Sequence, residues 1–252
     1  MKQFIITPSM GKRLIAKGMT QHPRLCHAMK HGRIVIIAGS TNGYIAEEIL
    51  TEIGEVDAFT RVGFRRGTVV PPDFTGIADT KLQGDVILTG GQWRQEDRGK
   101  TIFDVASSLV AGDVVLKGGN AVNIQSGQAA VYIGHPQAGT IGAVLPGVFG
   151  RRVQLIVPIG LEKRVFEDLA LLAASVNDPQ AEGPRLLPMP GEIFTELNAI
   201  ATLTGAKARL VAGGGIYGAE GCIWIGVEGQ AEQIRQAEKI IESLADEPPC
   251  QV

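Results

Sequence analysis

The stretch RIVIIAGSTNGYIAEEIL, Arg33 to Leu50, limits what this chain can fold into more than any other. Its first part, RIVIIAG, is apolar and β-branched with no polar alternation, the pattern of a strand buried on both faces in a parallel sheet. The part that follows puts Ile45, Ile49 and Ile53 at i, i+4 and i+8, so one helix face packs back onto that sheet. A strand, a glycine turn and an amphipathic helix in direct succession call for an α/β architecture.

More strands of the same kind follow. DVILTGG from Asp85 and GDVVLKGG from Gly112 each end in a glycine pair, and AAVYIG and VQLIVPIG come after them. Ligands of open α/β sheets bind outside the carboxyl ends of the strands, so these glycines predict loops that converge on one site. Ahead of them, KQFIIT reads as a short strand followed by PSMGKRL, and HPRLCHAMKHG as a helix ending at Gly32. After Pro158 the texture changes. EKRVFEDLALLAASV reads as an amphipathic helix, NDPQAEGP as a polar connection, and GEIFTELNAIATLTG as a helix ending at Gly205. KARLVAG, the turn GGIYGAEG and CIWIGVEG form a hairpin, followed by a helix with Ile234, Ile240, Ile241 and Leu244 on one side. The tail DEPPCQV is expected to fray. The expected fold is therefore α/β: a Rossmann-like, mostly parallel sheet with helices on both faces over residues 1–160, a small C-terminal α+β lid or interface subdomain over 161–247, either separate or packed into the main domain, and a tail over 248–252.

Bulk properties exclude some functions. With 252 residues, 44% of them apolar, the chain can build a sizeable core. Its 24 basic and 26 acidic side chains leave no positive excess to bind a phosphate backbone, and the cluster Arg61, Arg65 and Arg66 reads as a solvated loop. The three cysteines, Cys26, Cys222 and Cys250, show neither disulfide-framework nor C-x-x-C spacing, which points to a reducing compartment. His27 and His31 share a helix face but lack the H-E-x-x-H pattern of a metal site. No apolar run approaches the roughly 18 residues of a membrane span, and the N-terminus carries no signal-peptide pattern, so a cytoplasmic location is expected. Neither metal nor cofactor is expected.

Gly39, Ser40, Thr41, Asn42 and Gly43 open the helix of the first unit. Free backbone N–H groups and the positive end of the helix dipole favour a phosphate or carboxylate there. The turn is neither a Walker loop nor a dinucleotide turn. GGGIYG, Gly213 to Gly218, has dinucleotide spacing but runs into the strand CIWIGV rather than a helix, and so reads as a hairpin. In LKGGNAVN, Lys117 stands at the end of a buried strand beside Gly118, Gly119, Asn120 and Asn123, where a lysine can hold a phosphate or a developing oxyanion. Glu162 and Lys163 occupy another strand end. His135, in the glycine-rich GHPQAGTIG, is a candidate acid or base.

The order of these parts resembles ribose-5-phosphate isomerase type A and its superfamily, which includes glucosamine-6-phosphate deaminases, CoA transferases and the effector domains of sugar-responsive repressors. The resemblance rests on GRIVIIAGSTNGYIAEEIL, on the Lys-Gly-Gly strand end, and on RLLPMPGEIFTELNAIATLTGAKARLVAGGGIYGAEGCIWIGVEG. It implies that Ser40, Thr41 and Asn42 meet the substrate phosphate and that Lys117 lies beside the sugar or its enediolate. The isomerase's proton-moving glutamate has no counterpart, because NAVNIQSGQAA holds no carboxylate and FDVASSLVAGDVV offers only Asp104 and Asp113. Glu220 is a candidate for the glutamate nucleophile of the transferases. Two functions follow as expectations. One is an enzyme with isomerase-like or transferase-like chemistry on a small anionic, phosphorylated metabolite, using Lys117 with Glu162 or His135. The other is a non-catalytic protein that senses such a metabolite in the same pocket. Either is expected to act as a homo-oligomer, away from membranes and nucleic acid.

Overall fold

The computed structural model describes residues 1–67, 69–70, 73 and 83–250; the last two residues of the expected tail lie outside this set. The chain runs β1 (Lys2–Ile6), α1 (Pro8–Thr20), α2 (Pro23–His31), β2 (Arg33–Ile36), α3 (Ser40–Glu52), β3 (Val86–Thr89), the short α4 (Ile102–Val105), β4 (Val114–Leu116), β5 (Ala121–Asn123), β6 (Gln128–Ile133), α5 (Gly139–Arg151) and β7 (Gln154–Pro158). It continues through α6 (Leu169–Val176), β8 (Arg185–Pro188), β9 (Glu192–Phe194), α7 (Glu196–Thr204), β10 (Lys207–Gly213), β11 (Ile223–Glu228) and α8 (Ala231–Glu242).

The apolar runs build a mixed central sheet in the order β3-β2-β4-β7-β9, in which β2, β4, β7 and β9 are parallel. Ile34, Val35, Ile36, Val114, Val115 and Leu116 have no exposed surface, as strands covered on both faces require. Ile45 and Ile49 of α3 are buried as their spacing predicts.

One helix goes beyond the reading of PSMGKRL. Thr7 caps α1 by accepting from the Met10 N–H, Pro8 occupies the first turn, and Leu14, Ile15 and Met19 are fully buried. Gly18 lets α1 lie flush on α7, since a Cβ there would fall 2.7 Å from Ala199 Cα.

Other expectations are corrected. β3 runs antiparallel to β2, pairing Arg33 with Thr89, so Gly90 and Gly91 turn beside Gly32 at the amino end of β2 and not at the edge where the parallel strands end. An apolar run carries no information about strand direction, which is why the parallel expectation failed here. AAVYIG lies in β6 of a separate antiparallel sheet, β5-β6-β8. The helix expected from Glu162 begins only at Leu169, where Asp168 caps it by accepting from the Ala170 and Leu171 N–H groups. Three sheet pairings join the segments on either side of residue 160: β9 extends the central sheet beside β7, β8 pairs with β6, and β1 pairs with β11 in the sheet β1-β11-β10. Arg61 and Arg66 are engaged in ion pairs with Glu47 and Asp85 rather than solvated. The tail is anchored through Glu247, which pairs with Arg13. Among the described residues, no helix is long and apolar enough to cross a membrane.

Candidate functional site at the carboxyl edge of the sheet

Three parallel strands end side by side and deliver charged residues to one place. β4 continues into Lys117-Gly118-Gly119, β7 into a short 3-10 turn at Leu161–Lys163, and β9 into Thr195 and Glu196 at the start of α7. The sheet ladder extends into these loops, with Lys117 N–H donating to Ile156 O at 3.1 Å and Ile159 N–H donating to Phe194 O at 3.0 Å. Side chains then stitch the loops together. Lys163 Nζ donates to Gly119 O at 3.1 Å, and the Leu161 N–H donates to a Glu196 carboxylate oxygen at 3.1 Å. From the first turns of α1, Lys12 Nζ reaches Glu162 at 3.4 Å and also donates to Pro8 O at 3.1 Å. Two glycines admit this packing: a Cβ at Gly119 would meet Ile159 at 2.9 Å, and one at Gly160 would overlap the Glu162 carboxylate.

The electrostatics of this cluster are unusual. Burial pushes the Lys117 ammonium down to about 8, helped by repulsion from Lys163 and opposed by Asp85. Burial likewise lowers Lys163, with Glu162 partly offsetting it. Glu196, 1% exposed, is pushed up to about 8 by burial and then by the Glu162 charge. At pH 7 Glu196 is therefore largely neutral. Lys12, Lys117 and Lys163 thus gather at this edge beside Glu162 and Glu196, a preponderance of basic groups that favours an anion.

This geometry has a consequence for stability. A carboxyl whose folded pKa lies above its unfolded value contributes stability that is fully present below the unfolded pKa and lost as pH rises through the folded one. The wild type is expected to lose about 3 kcal/mol from Glu196 between pH 5 and pH 8. Glu196→Gln keeps an acceptor for the Leu161 N–H and should lose none of it. Urea unfolding at the two pH values measures the difference, and identical pH slopes for the two proteins would disprove this account of Glu196.

The predicted residues fall into two groups. Lys117, Gly118, Gly119 and Glu162 belong to the cluster; Lys117 also donates to Gly118 O at 3.1 Å. The turn Gly39–Gly43 begins α3 beyond the end of β2, with Ser40 exposed and Thr41 buried without a partner for its hydroxyl among the described residues. Asn42 is committed to the frame: its amide donates to Ile37 O at 2.7 Å and Leu116 O at 2.9 Å, tying β2 to β4. Gly43 packs against Arg61 and Phe64. An anion already sits near this helix start, because Asp85 accepts the Ala38 N–H at 2.9 Å.

Asn120 accepts the Tyr132 N–H, and Asn123 accepts from Gln125 and Ser126 while donating to Phe166 O and Glu167 O, so both order loops. His135 is exposed and accepts the Gln137 N–H. Among the described residues no hydrogen bond or ion pair joins it to Lys117, Lys163 or Glu162. Glu220 is exposed in the β10–β11 turn. Among the described residues, no group of three or more His, Cys, Asp or Glu is placed to hold a metal ion.

Comparisons with protein-family models, curated proteins and solved structures found no match.

Sequence reasoning missed Lys12 and Glu196. Glu196 follows the capping residue Thr195 in FTELN, where an acidic residue reads as a partner of the helix dipole. Its burial against Leu161 and Gly11 arises only when β7, β9 and α1 meet.

Proposed function

We propose that this chain is an enzyme that binds a small anionic, phosphorylated metabolite at the carboxyl edge of the central sheet and moves a proton on it. The observation that carries the reading is the convergence of Lys117, Lys163, Glu162 and Glu196 at the ends of β4, β7 and β9, with burial displacing the ionisation of Lys117, Lys163 and Glu196. Displaced acids, bases and lysines gathered at a ligand-binding edge serve proton transfer better than mere retention of a ligand.

In this reading Lys117 and Lys163 bind the phosphate or the oxyanion of the reacting carbonyl. Glu162, partly exposed and beside Lys12, takes a proton from the carbon next to that carbonyl, so the C–H electron pair moves into an enediolate whose negative charge faces Lys117. The proton then returns from Glu162 to the neighbouring carbon, while the hydroxyl proton of the new carbonyl oxygen passes to the former carbonyl oxygen. Glu196 positions the Leu161–Lys163 turn. The frame is read as Rossmann-like and akin to the ribose-5-phosphate isomerase superfamily, on the strength of the Lys-Gly-Gly strand end and the Gly39–Gly43 turn. Glu162 stands in for the carboxylate missing from NAVNIQSGQAA.

The test is a thermal-shift panel of sugar phosphates, CoA thioesters, nucleotides and inorganic phosphate, followed by proton NMR in D2O of any compound that stabilises the protein. A ligand that binds only the native state at 100 times its Kd adds about 2.7 kcal/mol, which is readily seen. Stabilisation by a phosphorylated compound together with loss of its carbon-bound proton signal is expected. Stabilisation without exchange would favour a sensor, and no stabilisation across the panel would remove the reading.

A further inference from the structure

Helix α5 lacks the face that an outer helix of an α/β layer turns to water. Its sequence, GTIGAVLPGVFGR, carries no charged side chain before Arg151. Gly142, Pro146, Phe149 and Gly150 recur at helical spacing along one side, and the last three are exposed. A surface helix normally sets charged and polar residues opposite its buried stripe.

Phe149, 73% exposed, has large apolar neighbours. Arg151 donates to Ala106 O at 2.6 Å and to Leu109 O at 2.8 Å, which draws the segment after α4 against the end of α5. α4 and this segment pack on α5 and add Phe103, 60% exposed, and Val110, 57% exposed. Together the three expose roughly 350 Å² of apolar side chain, taking about 200 Å² for a whole phenylalanine. Apolar patches of about 300–600 Å² on a monomer are often binding surfaces. A specific dimer takes about 800 Å² from each copy, arranged as an apolar core within a polar rim, so this patch has the size of such a core.

Gly150 points outward as well. A Cβ at Gly142 would meet Gln137 O at 2.3 Å and one at Gly147 would meet Val153 at 3.2 Å, so the fold itself accounts for those two glycines. At Gly150 a Cβ would meet nothing within 4 Å, although glycine weakens a helix. Close approach of a second backbone gives that glycine a use. The rim holds one acid and one base. Asp104, exposed beside Phe103, is bonded to Thr101 of its own cap. Arg152 is exposed, sits in the left-handed region at φ 62°, and its side chain makes no hydrogen bond or ion pair among the described residues.

The charge pattern selects the occupant. A surface that meets itself across a two-fold axis faces its own charges, so it has to be neutral as a whole. α5 is uncharged up to Arg151, whose guanidinium is turned onto the two carbonyls, and Asp104 and Arg152 cancel. In a two-fold contact residue i meets j and j meets i, so Asp104 of each copy can pair with Arg152 of the other. A membrane surface would call for basic residues around the apolar face instead.

We propose that the α4–α5 face is a dimer interface, with Phe149 at its centre, Phe103 and Val110 beside it, and a second copy of this chain as its occupant. Sedimentation equilibrium of the wild type at about 10 µM should give the mass of two chains, since interfaces of this size hold in the micromolar range or below. Phe149→Glu buries a carboxylate at the centre and should raise the Kd at least about 100-fold, leaving a monomer. Gly150→Leu has room in the single chain and favours the helix, so it should keep the wild-type circular dichroism and also run as a monomer; it carries the test if Phe149→Glu folds poorly. Phe166→Glu, at a residue 90% exposed outside α4 and α5, should stay dimeric. A monomeric wild type would overturn the proposal. So would a folded Phe149→Glu or Gly150→Leu protein that stays dimeric, or a Phe166→Glu protein that dissociates to the same extent.

Discussion

Replacing Lys117 with methionine is expected to weaken binding of a phosphorylated ligand by about 100-fold, the equivalent of roughly 3 kcal/mol for a charge-assisted bond in a shielded site. The fold should survive. Among the described residues Lys117 Nζ makes a single hydrogen bond, to Gly118 O, and methionine fills the same volume without an ammonium to desolvate. The sign of the pH dependence adds a second readout. Burial holds Lys117 at about 8, below its unfolded value, so the stability its burial leaves intact at high pH is lost as pH falls from about 10 through 8. The methionine variant should therefore gain on the wild type in thermal midpoint at pH 7 and show the least advantage near pH 10. Calorimetric titration with the stabilising compound, beside melts at the two pH values, measures both effects. Unchanged affinity would take Lys117 out of the binding site, whatever the melts show.

Asp85→Ala is expected to cost about 3–5 kcal/mol of stability, the range for breaking a buried ion pair by removing one partner. The Asp85 carboxylate is buried and accepts the Ala38 N–H at 2.9 Å, the Ile102 N–H at 2.6 Å and Arg66 Nη2 at 2.8 Å. Burial raises its pKa, and the Ala38 N–H and Arg66 oppose that rise. Alanine would strand two backbone donors and a partly buried guanidinium at once, at the point where β2 passes into α3. Asp85→Asn should cost less, because one amide oxygen still accepts a backbone N–H. Urea denaturation of both variants gives the comparison, and a loss below about 1 kcal/mol for alanine would mean that water replaces the carboxylate.

Both residues show how far the chain can be read without its structure. Lys117 was legible, because a lysine between a buried apolar run and two glycines has little local reason to be there. Asp85 opens DVILTGG and looks like a polar residue bounding a strand, and its partners, 19 residues away at Arg66 and 47 away at Ala38, are joined to it only by folding. Asn42, too, has partners that only folding supplies. It sits in a turn rich in capping residues and invites a ligand-binding reading, yet its amide bridges two strand ends that are distant in sequence.

What the sequence determined by itself is what local physics encodes. The periodicities of RIVIIAG and of Ile45 and Ile49 specify buried strand and amphipathic helix, Gly32 and Gly205 mark helix ends, and KARLVAG with CIWIGVEG specifies a hairpin, because each depends on residues a few positions apart. Tertiary structure alone decided the direction of β3, the placing of β6 in a second sheet, the union of β1 with β11, the meeting of Lys12, Glu162, Lys163 and Glu196, and the seat of Glu247 between Arg13 and Arg61. These are pairings across long stretches of chain, and burial and charge acquire their meaning only from the partners that the fold supplies.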